Sequence, residues 1–141
     1  MIIKSLKAKR IRDSRGDFTI QVKVNGQKAS SPSGKSTGKY ETPCYRKSLE
    51  DSIKEINNLK KLKGLEINSF SDLNKVEKII SRKAGANTLF ALESAILKAL
   101  AKSKRKELWQ IINPKSRKMP IPLGNAVGGG LHSHNKNAPI F

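Results

Sequence analysis

Cysteine is nearly absent from this 141-residue sequence, in which Cys44 stands alone. One cysteine cannot form an internal disulfide, and this scarcity is typical of proteins in a reducing compartment. The sequence also lacks any run of eighteen apolar residues, and its N-terminal segment becomes charged at Lys4. Neither a membrane span nor a secretory signal is therefore predicted. We expect a cytoplasmic protein without a membrane partner.

Acidic residues are scarce as well, and this scarcity indicates a polyanionic partner. Eleven Asp and Glu face 29 Lys and Arg, which leaves a net charge of +18. A bound polyanion offsets such self-repulsion, and the charge favours nucleic acid. The few aromatic residues, one Trp, two Tyr and four Phe, are mostly needed for the core. We therefore expect contacts to the phosphates of structured RNA, in particular ribosomal RNA, rather than base stacking on single strands.

Short basic clusters along the chain are the expected sites of these phosphate contacts. The residues predicted to contact nucleic acid are Lys4, Lys7, Lys9, Arg10, Arg12, Lys35, Lys60, Lys61, Lys63, Lys102, Lys104, Arg105, Lys106, Lys115, Arg117 and Lys118. Their spacing along the chain does not indicate which of them share one surface.

The hydrophobic pattern predicts an α+β domain, in which a three-stranded antiparallel meander is followed by a helical bundle. Apolar and polar residues alternate in the first two strands, over residues 2–11 and 18–25. Asn25 and Gly26 then predict a hairpin into a third short strand. Apolar residues recur at helical spacing in four later segments, residues 47–62, 72–83, 86–104 and 107–113.

Two features refine this prediction. Ser71 can cap the second helix, and the third helix is apolar nearly all round, so it should be central. We place the domain at residues 1–118. An irregular C-terminal tail rich in Pro, Gly and Asn follows at residues 119–141.

A loop rich in Gly and Ser, "SPSGKSTGKYETP" at residues 31–43, contains the G-K-S-T of a nucleotide-binding P-loop. A P-loop needs another glycine five positions before Gly34, where this sequence has Ala29, and a helix directly after it. Gly38 and Pro43 would interrupt such a helix. The P-loop interpretation is therefore excluded, and the segment needs another explanation.

Four segments together resemble motifs of the enolases. "AKRIRDSRGDFT" is similar to their A-R-x-x-x-D-S-R-G-x-x-T, and "SGKSTGKYE" resembles their mobile loop, S-G-A-S-T-G followed by a glutamate. "GANTLFALESA" matches a helix that opens G-A-N-x-x-x-A, and "PIPLGNAVGGGLH" is similar to their linker P-x-P-x-x-N-x-x-x-G-G-x-H. The motifs occur in the family's order across the whole chain. The sequence thus resembles the N-terminal domain of an enolase (phosphopyruvate hydratase, a lyase) with its linker.

The resemblance implies roles for a few residues. In enolases this loop closes over the substrate, and its second serine, here Ser36, coordinates a magnesium ion bound to the substrate phosphate. The hinges would be Gly34 and Gly38, His132 would lie near the phosphate, and Arg15 would have a structural or loop-anchoring role. The complete set of loop and phosphate-site equivalents is Ser33, Gly34, Ser36, Thr37, Gly38 and His132.

Enolase catalysis also requires a barrel domain, which carries the magnesium carboxylates and the lysine base. No acidic residue follows Glu107 in this sequence, and magnesium needs several hard oxygen ligands. We therefore expect no catalytic residue and no cofactor for this polypeptide alone, and magnesium at Ser36 only when a barrel chain is paired with it. The loop also carries Lys35 where the family has a small residue.

Three functions fit these observations. The main hypothesis is a basic enolase-like domain without a barrel, repurposed to bind structured RNA as a ribosome-associated protein, with ribosomal proteins as further partners. The alternative is the N-terminal piece of a split or fragmentary enolase, which dehydrates 2-phosphoglycerate to phosphoenolpyruvate together with a separate barrel chain. The third is a structural or regulatory protein that caps another protein. Net charge favours the first.

Overall fold

The sheet and its turns are built from the first thirty-one residues of the chain. The computed structural model describes residues 1–31, 38–80 and 84–124. The strands β1 (Leu6–Arg12), β2 (Phe18–Val24) and β3 (Gln27–Ser30) pair antiparallel in the order β1-β2-β3. Asn25 and Gly26 join β2 to β3 with φ angles of 46° and 89°, which suit a two-residue hairpin turn. The predicted meander is therefore confirmed.

Helices follow the sheet, as the sequence predicts, and the α+β class is confirmed. The α-helices of the described ranges are α1 (Leu49–Asn57), α2 (Leu73–Ile80), α3 (Ala86–Lys104) and α4 (Leu108–Ile112), with short 3-10 helices at Lys60–Leu62 and Phe70–Asp72. Residues 119–124 have no regular secondary structure, and the remainder of the predicted tail lies outside the described residues. The boundary at residue 118 stays a prediction.

Two predicted helix ends are wrong. The helix predicted over residues 47–62 stops at Asn57, and a separate 3-10 helix follows. The second helix is preceded by a cap at Ser69 instead of Ser71, because the amides of Asn68 and Ser69 both donate to the Asp72 carboxylate, at 2.8 and 3.0 Å. Capping-box geometry therefore selects the earlier serine.

The core lies between the inner face of the sheet and the helices. Ala8, Val22, Val24 and Ala29 are buried on that face, and α3 packs on β2 and β3 while α1 packs on β1. Ten residues of α3 are buried, which confirms the prediction that this helix is central. The opposite side of the sheet carries exposed lysines and is the open side, although Thr19 at one end of it is buried.

An asparagine side chain fixes α1 to the edge strand. The Ala8 amide donates to Asn57 Oδ1 at 2.7 Å, and Asn57 Nδ2 donates to the Ala8 carbonyl oxygen at 3.1 Å. The amide group thereby occupies the backbone positions that another strand would use. Through this bidentate contact, the asparagine at the last position of α1 ties the end of the helix to β1.

Two carboxyl groups meet where α2 packs on α3. A groove of about 500 Å³ is lined by Glu77 of α2 and Glu93 of α3 together with exposed Phe70 and Phe90. Burial and the neighbouring Glu77 charge raise the pKa of Glu93 to about 7. Its Oε1 is buried and has no hydrogen-bond partner among the described residues. Between about pH 4.5 and pH 7, Glu93 therefore keeps in the folded chain a proton that it loses in the unfolded chain.

Glu93→Gln should make the protein more stable above neutral pH. Because folding raises the pKa of Glu93 from 4.5 to about 7, the free energy of unfolding of the wild type falls as the pH rises through that window. We expect the variant to have the higher Tm at about pH 8, and the difference to become small at about pH 4, where the wild-type carboxyl is mostly protonated in both states. Thermal melts of both proteins between about pH 4 and pH 8 measure this difference in Tm. Glu66→Gln, at an exposed glutamate, is the control, and parallel melting profiles for wild type and Glu93→Gln would refute the assignment.

Candidate functional site

A buried hydrogen bond holds the chain directly after the end of β3. Thr19 of β2 is 1% exposed, and its Oγ1 donates to the Ser31 carbonyl oxygen at 2.8 Å. The same Oγ1 lies 3.3 Å from the Tyr45 hydroxyl oxygen. The Ser31 amide donates to the Ile20 carbonyl oxygen at 3.4 Å. Ser31, two residues before the predicted substrate loop of residues 33–38, is therefore held against β2.

A reciprocal turn holds the other end of that loop. The Gly38 amide donates to Glu41 Oε2 at 2.9 Å, and the Glu41 amide donates to the Gly38 carbonyl oxygen at 3.1 Å. One residue thus satisfies both backbone groups of the predicted hinge. Ser31, which precedes the predicted loop, and Gly38, its last residue, are both held by contacts within the described residues.

The first turn of α3 holds the segment that follows. The Ala86 amide donates to the Pro43 carbonyl oxygen at 2.9 Å, and the Asn87 amide donates to the Cys44 carbonyl oxygen at 3.1 Å. Amides in the first turn of a helix lack partners within the helix, so these carbonyl groups cap α3. The segment and the helix therefore stabilise each other.

Gly85 allows this close approach of the backbone. A Cβ atom at Gly85 would lie 2.4 Å from the Cys44 carbonyl oxygen and 2.5 Å from Tyr45 Cα, distances that no side chain can occupy. Tyr45 in turn reaches Thr19 on the sheet. The helix, the segment and the sheet are thus joined in one continuous set of contacts. We call Thr19, Ser31, Gly38, Glu41, Tyr45 and Gly85 the loop frame.

Two buried polar groups lie in the same first turn of α3. Asn87 is 7% exposed and Thr88 is 1% exposed. Asn87 Nδ2 and Thr88 Oγ1 have no hydrogen-bond partner among the residues that the structure describes. Buried polar groups are nearly always paired in folded proteins, so the described residues leave the hydrogen-bonding capacity of these two atoms unused.

The predicted site residues are only partly within the described ranges. Gly38 belongs to the loop frame, whereas Ser33, Gly34, Lys35, Ser36, Thr37 and His132 lie outside the described residues. Arg15 lies in the turn between β1 and β2, where its amide donates to Asp13 Oδ1 at 2.8 Å. Its side chain is exposed, so its proposed anchoring role stays a prediction.

Of the six residues of the loop frame, the sequence reasoning assigned a role only to Gly38, and it missed Thr19, Ser31, Glu41, Tyr45 and Gly85. Thr19 closes the first quoted motif, Glu41 closes the second, and Gly85 opens the third. Their positions in these motifs were the available signal. Tyr45 had no such signal, because its contact with Thr19 joins residues 26 positions apart.

The basic residues predicted to contact nucleic acid are exposed but lie on several surfaces. Arg10 and Arg12 lie over the Phe18 ring, 4.1 and 4.3 Å from its centroid, and Arg10 also pairs with Glu50 at 3.6 Å. Lys104 Nζ donates to the Asn68 carbonyl oxygen at 2.6 Å. The other exposed members of the described ranges are Lys4, Lys7, Lys9, Lys60, Lys61, Lys63, Lys102, Arg105, Lys106, Lys115, Arg117 and Lys118.

The open side of the sheet brings lysines together that are distant in sequence. The register pairs Lys7 with Lys23 and Lys23 with Lys28, so the three form one row across the strands. Lys9 follows on the same side of β1. We call Lys7, Lys9, Lys23 and Lys28 the lysine face. The sequence reasoning missed Lys23 and Lys28, although the Asn-Gly turn between them fixes their pairing.

The described part of the chain contains no group of three or more His, Cys, Asp or Glu placed to hold a metal ion. These residues therefore do not fit a complete magnesium site by themselves. Among the helices of residues 1–31, 38–80 and 84–124, none combines the length and hydropathy that a membrane crossing requires.

Comparison with known proteins identifies the class to which this fold and loop frame belong. The family model for the N-terminal domain of enolase matches residues 3–112. The enolase of Methanothermobacter thermautotrophicus is 33% identical over 151 residues, which cover 98% of this chain and 36% of the relative. The enolase of Thermoplasma acidophilum is 30% identical, with 94% and 36% covered. The chain belongs to the enolase family, and it spans about a third of the length of the curated relatives it matches.

Proposed function

We propose that this chain acts as the N-terminal domain of an enolase, which dehydrates 2-phosphoglycerate to phosphoenolpyruvate together with a barrel domain. The observation that carries the proposal is the loop frame, which holds Ser31 before the segment that resembles the enolase substrate loop and Gly38 at the end of that segment. Family membership supports the same function. On the sequence alone, the enolase function is the alternative hypothesis, and the comparisons favour it over the main hypothesis of RNA binding.

The loop frame gives this domain a definite task in the reaction. A loop that covers a substrate must close to the same place in each turnover, and misplacement by about 1 Å can cost roughly 10²-fold in rate. Thr19 holds the Ser31 carbonyl group from β2, Glu41 holds Gly38 from three residues along the chain, and Gly85 allows the start of α3 to approach Cys44 and Tyr45 closely. We assign positioning roles to these residues, and leave proton transfer and metal binding to the barrel.

A chimera tests the proposed function. Residues 1–141 replace the matching segment of the Methanothermobacter thermautotrophicus enolase, and magnesium-dependent formation of phosphoenolpyruvate is measured. We expect turnover from this chimera, hereafter the composite enolase, and none from residues 1–141 alone, whose described part lacks a cluster of carboxylates.

The parent enzyme and a composite enolase with Ser36→Ala are the controls. The serine variant should lose turnover if the role implied by resemblance is correct. A composite enolase that folds and binds 2-phosphoglycerate but forms no product would overturn the proposal, as would turnover by residues 1–141 alone.

We also propose, on a separate observation, that the domain binds structured RNA. The net charge of +18 and the lysine face support RNA binding, whereas the comparison with relatives supports only the enolase function. Ribosomal RNA and the ribosome are the partners that the sequence reasoning favoured. Sedimentation of the purified chain with ribosomes at low and high salt tests this second function, because phosphate contacts weaken steeply as salt rises.

A further inference from the structure

We infer that the lysine face is the surface on which the domain binds an RNA double helix, through the phosphates of its backbone. The inference rests on the second proposed function and names the residues that would carry it. It is independent of the proposed enolase reaction, because none of the four lysines belongs to the loop frame.

The register of the sheet makes the lysine face a compact cationic surface. Neighbouring strands lie about 4.8 Å apart, so the row from Lys7 through Lys23 to Lys28 spans roughly 10 Å. Lys9 lies two residues from Lys7, about 6.6 Å along β1. Four ammonium groups on flexible side chains are therefore available within an area of the size of a few phosphates.

Like charges directly opposite each other destabilise a sheet, so the row is unfavourable unless an anion lies near it. Within the described residues, ion pairs form elsewhere, between Arg10 and Glu50 and between Lys75 and Asp72. None of the lysines of the face pairs with a carboxylate of the described chain. The positive charge of this surface is therefore left for an external partner.

The composition of the surface favours RNA over a protein partner. Interface cores between proteins are enriched in aromatic residues and depleted in lysine. No exposed aromatic side chain of the described ranges lies on the lysine face: Phe70, Phe90 and Trp109 are on the helical part of the domain, and Tyr40 is in the segment before α1. Phe18 is exposed on β2, but strand alternation places it on the side opposite Lys23, under Arg10 and Arg12. The row beside the lysines holds Gln21 and Ser30, whose polar groups can bond phosphate and 2′-hydroxyl oxygens. A surface of lysine charges and small polar groups suits the backbone of an RNA duplex, which proteins recognise mostly by its shape and not by its base sequence.

A charge-matched pair of triple variants tests the inference. Lys7, Lys23 and Lys28 are changed together to Gln, and in the control Lys47, Lys54 and Lys78, which are exposed on or beside α1 and α2, are changed to Gln. Both variants have the same net charge. The probe is a fluorescent RNA duplex of about 16–20 base pairs, and anisotropy gives its affinity from low to high salt.

The face variant should bind at least roughly tenfold more weakly at low salt, and its log–log salt slope should be shallower by about three, since three phosphate contacts are lost. The control variant should stay close to the wild type. Circular dichroism checks that both are folded, and Lys23→Gln alone, expected to lower the slope by about one, repeats the test with the smallest change.

The other outcomes separate the two proposals. If the wild type fails to bind the duplex at low salt, RNA binding and this inference both fall. If the wild type binds and both triple variants weaken it equally, RNA binding stands and the lysine face is the wrong surface. If poly-glutamate of equal charge displaces the duplex as effectively as unlabelled RNA does, the lysine face binds acidic protein surfaces and the RNA assignment is wrong.

Discussion

Thr19→Val should lower kcat of the composite enolase by roughly 10- to 100-fold, with a smaller effect on KM. Valine keeps the shape of the side chain but removes the Oγ1 that lies 2.8 Å from the Ser31 carbonyl oxygen and 3.3 Å from the Tyr45 hydroxyl. Ser31 and Tyr45 would then lose the hydroxyl that links both of them to β2. Steady-state kinetics on 2-phosphoglycerate provides the measurement.

Thr19→Ser is the matched control, because it keeps the hydroxyl and loses only a methyl group. It should retain most of the turnover, whereas a simple loss of packing would affect it at least as much as Thr19→Val. Equal kcat values for the valine variant and the wild type would show that the loop does not depend on this part of the loop frame.

Gly85→Ala should destabilise the domain by about 1–3 kcal/mol, the usual cost of forcing extra volume into a packed site. The new Cβ would lie 2.4 Å from the Cys44 carbonyl oxygen and 2.6 Å from the Cys44 carbonyl carbon, so backbone atoms have to move. The φ angle of Gly85 is −81°, which alanine adopts easily. The expected loss therefore comes from the contact alone, and urea unfolding measures it.

Gly124→Ala is the control for the glycine prediction, since a Cβ at Gly124 would meet no atom within 4 Å. Its free energy of unfolding should equal that of the wild type. If Gly85→Ala is equally stable, α3 and the segment of residues 43–45 do not form the tight contact described. A composite enolase carrying Gly85→Ala should also lose turnover, because Tyr45 would shift relative to Thr19.

The two proposed functions use different parts of one strand. Thr19 and Lys23 lie on the same side of β2, about 13 Å apart along the strand. Thr19 is buried under the contacts of the loop frame, while Lys23 is exposed on the lysine face. The side chain that positions the loop and the side chain at the centre of the cationic row are therefore separable by mutation.

The fold could be predicted because its determinants are local. Alternation of apolar and polar residues marks β1 and β2, and the Asn25-Gly26 pair fixes the turn into β3. Helical spacing and an apolar surface nearly all round identify α3 as the central helix. The helix ends were less predictable, since both Ser69 and Ser71 can act as caps, and the local geometry, in which the Ser69 amide donates to Asp72, selected Ser69.

The sequence by itself determined the family, the order of the elements and the excess of positive charge, because motifs, periodicity and composition do not depend on how distant segments meet. Tertiary structure decided which residues act together. Thr19 contacts Tyr45, and Gly85 contacts Cys44, only because α3 packs on β2 and β3 and brings its first turn to the segment after the loop. Lys7 and Lys28 share a row for a similar reason, since pairing across three strands places residues 21 positions apart on one open face. Contacts between distant segments follow from packing and register, which no local pattern contains.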